Sequence, residues 1–176
     1  MINQPFGTEL TDEFLIKECK NNNTNSLQKL LLKYHKPLFN FIYRLTKDIT
    51  SSEDILQEVF IRVIKNIKGF APERETSFKQ WLYQIAINLC RDDFKRKQKF
   101  SSMELESIST SPQINPYEIE DLISGLPKEQ KEVVLLKVYS GLHFREIAEI
   151  LKCPLNTAIS RMHYAIKSLR KNNEHI

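Results

Sequence analysis

Residues 142–169 read LHFREIAEILKCPLNTAISRMHYAIKSL, and the spacing of their apolar side chains decides how the C-terminal third folds. Leu142, Ile147, Ala148 and Leu151 fit one face of a short helix. Lys152-Cys153-Pro154 then breaks it, since proline has no amide hydrogen to donate and its ring clashes with the preceding turn. A second helical pattern follows, with Ala158, Met162, Ala165, Ile166 and Leu169 turned inward. Two helices joined by so tight a break make a helix-turn-helix. The outer face expected for the second helix holds Thr157, Ser160, Arg161, Tyr164 and Ser168. Hydroxyls on such a face reach base edges or phosphates in a major groove, and an arginine can take a guanine with two bonds. On the helix pair alone, the same residues would also suit an ordinary solvated surface.

Upstream, the apolar set Leu27, Leu30, Leu31, Tyr34, Leu38, Phe41, Ile42 and Leu45 marks one long amphipathic helix, or two helices meeting near Pro37. A shorter helix capped by Thr11 or Asp12 precedes it. A third helix is expected to open at Ser51-Ser52-Glu53-Asp54, where a serine can cap and acids suit the positive helix end, and to run through Ile55, Val59, Val63 and Ile67 to a stop at Gly69. After a loop containing Pro72, a fourth helix should bury Phe78, Leu82, Ile85 and Leu89. The C-terminal part resumes at Leu126-Pro127 and runs through Val133, Leu136 and Tyr139 to Gly141. The fold class expected is therefore all-α, with no strand and no repeat: a four-helix bundle over residues 1–100, a linker over 101–125 and the helix-turn-helix over 126–176.

Charge follows the same division. The net charge of +4 is modest, but residues 1–100 carry 17 Lys and Arg against 12 acids, residues 126–176 carry nine against five, and residues 101–125 carry five acids and no cation. Two basic blocks flank an acidic, flexible connector holding Pro112 and Pro116. Cys19, Cys90 and Cys153 have no metal-ligand spacing and read as thiols of a reducing cytoplasm. No run of about 18 apolar residues and no N-terminal leader pattern is present, so direct membrane insertion is not expected.

Between Lys68 and Lys99, Phe70, Phe78, Trp81, Tyr83 and Phe94 interleave with Lys79, Arg91, Lys95, Arg96, Lys97 and Lys99. Aromatic rings replace base stacking at about 1–3 kcal/mol per base, and cations follow phosphates, which suits single-stranded DNA. The plain alternative gives Phe78 and Trp81 to the core and the basic run to a solvated helix end.

Together these segments resemble the RNA polymerase sigma factors of the extracytoplasmic-function group. Asp54-Ile55-Leu56-Gln57-Glu58-Val59-Phe60, Phe78-Lys79-Gln80-Trp81-Leu82 and Ile85-Ala86-Ile87-Asn88 with Asp92 and Arg96 look like sigma region two. Leu126-Pro127, Gly141, Glu146-Ile147-Ala148, Leu151, Pro154, Thr157 and Ser160-Arg161 look like region four. The resemblance implies that the segment 54–60 docks on the polymerase clamp through Asp54, Gln57 and Glu58. It implies recognition and melting of a minus-ten element by the helix from Phe78 onward, with Lys79, Asn88, Arg91, Lys95 and Arg96 as DNA contacts and Tyr83 a weaker one. Trp81 reads as core, and the loop of residues 70–77 as the wall of a pocket for a flipped base. Asn156, Thr157, Ser160, Arg161 and Tyr164 would contact the minus-thirty-five element. Asn156 stands where the group usually has glycine and Ile159 where it often has a basic residue, so promoter preference is not carried over. Core polymerase, promoter DNA as duplex and as melted strand, and an anti-sigma factor, often membrane-bound in this group, are the partners implied. No cofactor, metal or covalent chemistry is called for, and the acidic linker would thread the polymerase interior.

Two other classes compete. A conventional helix-turn-helix repressor or activator would bind duplex tightly by itself and would leave residues 54–60 without a polymerase to meet. A nucleic-acid enzyme would need a phosphate-cradling glycine loop or carboxylates clustered with histidine, and neither pattern occurs; His35, His143 and His163 read as helix-surface residues.

Overall fold

A computed structural model describes residues 11–71, 76–101, 123 and 125–173, and among these residues all regular structure is helical. Helix α1 spans Asp12–Lys20, and Thr11 caps it by accepting from the Phe14 amide at 3.3 Å. Helix α2, Thr24–Thr46, runs unbroken through Pro37. Tyr34, Leu38, Phe41 and Ile42 are buried on both sides of the proline, so packing holds the helix together across the missing hydrogen bond.

Helix α3, Ile49–Asn66, starts earlier than expected, because its cap is Asp48 and not a serine of the 51–52 pair. The Asp48 carboxylate accepts from the Ser51 amide at 2.6 Å. Ser52 lies wholly buried instead, 2.8 Å from the Thr46 hydroxyl. A 3-10 turn at Ile67–Gly69 ends the helix near the expected stop. Helix α4, Phe78–Ser101, buries Phe78, Leu82, Tyr83, Ala86, Ile87 and Cys90, while Ile85 and Leu89 are only half-buried. The buried stripe is displaced from the expected one because α4 packs on α2 and α3 on one side and on the C-terminal helices on the other.

Those helices are α5, Lys128–Ser140; α6, Phe144–Leu151; and α7, Leu155–Asn173. Gly141 ends α5 at φ +66°, a left-handed conformation that glycine adopts without strain, and its amide donates to the Lys137 carbonyl at 3.1 Å. Five consecutive α5 residues, Glu132, Val133, Val134, Leu135 and Leu136, are buried. A helix can be buried all round only when it has neighbours on every side. Here α7 covers one flank of α5 and α2 the other, so the apolar interior runs continuously from the N-terminal lobe into the C-terminal one. Of the expected acidic linker, residues 102–122 and 124 lie outside the described residues, as do residues 72–75 of the expected pocket wall.

Candidate nucleic-acid interface

The turn between α6 and α7 is built as the sequence indicates. Lys152 takes a left-handed conformation at φ 54°, and the Cys153 amide returns to the Ala148 carbonyl at 3.0 Å. Ala158 and Ala165 are fully buried and Met162 and Leu169 half-buried, which fixes the rotation of α7 about its axis. Asn156, Ser160 and Tyr164 consequently face solvent, as expected, while Thr157 and Arg161 are half-buried. Ile166, expected inside, is exposed, because among the described residues α7 packs chiefly on α5 and α6 and turns that flank away from both. His163 and Lys167 share the outer face with Ser160, at spacings of three and seven residues; sequence reasoning placed His163 on the surface without assigning it a contact and did not single out Lys167. Measuring the helix rotation from the alanines would have found them. Across its length α7 carries Arg161, Lys167, Arg170 and Lys171 and no carboxylate.

On α4, Asn88, Arg91 and Lys95 fall on one side of the helix, Lys95 two turns after Asn88. Asn88 and Lys95 are exposed, and Asn88 accepts from the Gln84 amide at 3.2 Å. Lys79 sits nine residues before Asn88 and therefore on the opposite side; it lines a recess at the lobe boundary with Asp12, Ser77 and His143. Arg96 lies off the shared face and bonds Asp93 at 2.6 Å while most of its side chain stays in solvent. Tyr83 is corrected outright: it is 1% exposed, its hydroxyl donates to the Tyr139 carbonyl at 2.9 Å, and burial pushes its phenol well above the ordinary range, so it is no surface contact for DNA. Trp81 stacks on Phe70 with ring centroids 4.8 Å apart, in keeping with a core role.

Arg91 does not stand open. It donates to both carboxylate oxygens of Glu132 on α5, at 3.1 and 2.7 Å, and that pairing raises its guanidinium further above the ordinary range. Two more acids of the C-terminal lobe reach the start of α4. Glu149 accepts from the Gln80 side chain at 2.6 Å, and Glu146 accepts from the Ser77 hydroxyl at 3.0 Å and from the His143 amide at 2.8 Å. Gln80, nearly buried, was not legible as a seam residue, since nothing local in FKQWL marks its partner 69 residues away. The Arg44 guanidinium lies over the Tyr139 ring at 4.6 Å, and Lys128 over Phe94 at 4.8 Å. A cavity of about 220 Å³ remains in this seam, lined by Leu45, Cys90, Phe94, Leu126 and Lys131 among others.

On α3, Asp54 and Gln57 are exposed, and Glu58 pairs with Arg62 one turn on at 2.7 Å. Asp54 and Glu58 line an acidic recess together with Asp92, Asp93 and Arg96. Ile61 and Ile64, 42% and 47% exposed, extend the outward face of α3 with apolar surface that sequence reasoning had not assigned. Among the described residues no cluster of His, Cys, Asp and Glu could hold a metal, and no helix is long and apolar enough to cross a membrane.

Among the described residues, helices alone, a terminal helix-turn-helix and a second helix charged only with cations have the architecture of a DNA-binding protein. The family model for Sigma-70 region 2 matches residues 30–100, and that for Sigma-70, region 4 matches residues 117–169. The chain is 28% identical over 89% of its length to ECF RNA polymerase sigma factor SigW of Bacillus subtilis, covering 93% of that protein, and 26% identical over 88% of its length to the ECF RNA polymerase sigma-E factor of Haemophilus influenzae, covering 90% of it. In solved structures the same fold is found in CnrH, in complex with the cytosolic domain of CnrY, at TM-score 0.71 and 19% identity over 93% of this chain and 97% of that one. It is found again in the sigma factor RpoE of Bartonella quintana, in complex with the anti-sigma factor NepR, at TM-score 0.68 and 21% identity over 82% and 94% of the two chains. The chain belongs to the sigma-70 family of RNA polymerase sigma factors, in its extracytoplasmic-function group. That family consists of transcription initiation factors rather than enzymes, which removes the conventional repressor or activator and the nucleic-acid enzyme as readings.

Proposed function

We propose that the chain docks on core RNA polymerase through Asp54, Gln57 and Glu58 of α3, reads a minus-thirty-five element with Asn156, Thr157, Ser160, Arg161 and Tyr164 of α7, and opens a minus-ten element along α4. On that helix Asn88, Arg91 and Lys95 form one working face, with Lys79 and Arg96 as outlying phosphate contacts. The functional units are residues 1–100 and 126–176, with 101–125 as the connector between them. The observation that carries the reading is the outer face of α7, held open by the burial of Ala158 and Ala165 on a helix with four cations and no carboxylate.

Two elements named minus ten and minus thirty-five are centred 25 base pairs apart, about 85 Å at 3.4 Å per pair. The lobes touch through Arg91–Glu132 and Gln80–Glu149, so engaging both elements requires them to separate. Separation frees Arg91 for a phosphate, and a partner that spans both lobes would oppose it. The solved relatives in complex with a cytosolic domain and with an anti-sigma factor support such a partner for this chain, membrane-bound or not. The place of action is the cytoplasm, where polymerase and promoter are.

Mixing the protein with core polymerase lacking sigma tests the reading. Co-elution with core and discrete run-off starts on fragmented genomic DNA are expected. Sequence-specific duplex binding by the protein alone, with no association with core, would overturn it.

A further inference from the structure

Leu155 and Ile159 open the recognition helix one turn apart, 41% and 44% exposed. Each stands beside an exposed polar residue, Asn156 and Ser160, so the first two turns of α7 present an apolar pair next to a hydrogen-bonding pair. Leaving large aliphatic side chains in water forgoes the free energy that burial would supply, and among the described residues α7 packs chiefly on α5 and α6, leaving both side chains open. The occupant of this surface must also suit a helix that bears Arg161, Lys167, Arg170 and Lys171 and no acid, which points to a polyanion and away from a predominantly apolar protein surface. The N-terminal turns of the second helix of a helix-turn-helix are the part that enters the major groove, and the apolar group displayed there is the 5-methyl of thymine.

We infer that Ile159 and Leu155 are specificity-determining residues that read thymine methyl groups in the minus-thirty-five element, while Asn156 and Ser160 bond neighbouring base edges. The inference rests on the sigma-factor reading above and adds the chemistry by which this chain selects its sequence. Ile159 suits the task because branching at Cβ leaves it few rotamers, so little side-chain freedom is lost on contact. Substituting a lysine or arginine there would exchange a methyl reader for a guanine or phosphate contact and alter which promoters are used.

The test starts from a promoter mapped with core polymerase and replaces each minus-thirty-five thymine in turn with uracil, which deletes only the methyl group. Initiation by the wild-type protein should fall about fourfold at one or more of these positions, the factor expected for one buried methyl group. Ile159→Ala or Leu155→Ala should show a similar loss on the thymine template and indifference to uracil at the matching position. Wild-type initiation unchanged by uracil at every position would overturn the inference while leaving the sigma-factor reading intact. So would a weakening of core association by Ile159→Ala, which would make the pair a protein-docking surface. Failure to start at discrete sites with core polymerase would bring down the reading itself and the inference with it.

Discussion

Arg91 and Glu132, 41 residues apart in the chain, share two hydrogen bonds across the boundary between the lobes, and Glu132 is only 3% exposed. A planar guanidinium held by two oxygens of one carboxylate is in the same geometry it would adopt on a phosphate. On the proposed reading of α4, Glu132 therefore occupies a group that this helix would otherwise offer to DNA. Replacing the carboxylate by an amide leaves Arg91 partly buried, with one acceptor in place of two and without the charge of Glu132. Glu132→Gln should lower stability by about 2 kcal/mol, below the range for a fully buried pair because Arg91 keeps a quarter of its side chain in solvent. Urea unfolding of Glu132→Gln, Arg91→Gln and the double variant measures the coupling, expected to exceed about 1 kcal/mol. A coupling indistinguishable from zero would mean that the pair does not hold the lobes.

Cys90 reports whether the lobes are together. It lines the seam cavity, and burial, with the charges of Asp93 and Glu132, pushes its thiol up to about 12. Because the thiolate is the reactive species, alkylation by iodoacetamide at pH 8 should run roughly a thousandfold slower than for an unperturbed thiol. With Cys19 and Cys153 replaced by serine, Glu132→Gln should accelerate it. A rate near that of a free peptide thiol in the wild-type chain would rule out a closed seam. The sign for stability follows. Above the ordinary thiol value of 9.0 the unfolded chain loses this proton while the folded one keeps it, so stability falls as pH rises from there toward about 12.

Asp48 caps α3, and its bonds from the Ser51 hydroxyl and amide hold its carboxyl below the usual range. Asp48→Ala should cost about 1 kcal/mol in thermal unfolding, and Asp48→Asn much less, since the amide oxygen can still accept from Ser51. A lowered carboxyl contributes stability above its unfolded value and loses it as pH falls through the folded one. The gap between wild type and Asp48→Ala should accordingly narrow in acid. A gap that widened there would contradict the cap.

Opposite phenotypes should separate α7 from α3. Ser160→Ala is expected to reduce initiation at mapped promoters fivefold or more with core binding unchanged, as for loss of one base-edge contact. Replacing Asp54 and Gln57 together by alanine should weaken association with core about tenfold and leave the far-ultraviolet circular dichroism as it was. If both variants lost core binding equally, the assignment of roles to the two helices would fail.

The helices were legible in the sequence because each is specified within a few residues: the inward alanines of α7, the break at Pro154, Thr11 before α1 and Gly141 after α5 act through hydrogen bonds and periodicity no longer than a turn or two. Misreadings arose where two local signals competed, as at Asp48 against Ser51 and Ser52, or where a helix acquired a second neighbour, as α4 did when Tyr83 turned from surface to seam. The motifs that place the chain among sigma factors were likewise local and could be read directly. What only the tertiary structure decided is which polar groups face one another: Arg91 with Glu132, Gln80 with Glu149, Ser77 with Glu146. Partners 41 to 69 residues apart leave no periodic trace in a single sequence, because their meeting depends on how whole helices pack and on no propensity of the residues themselves.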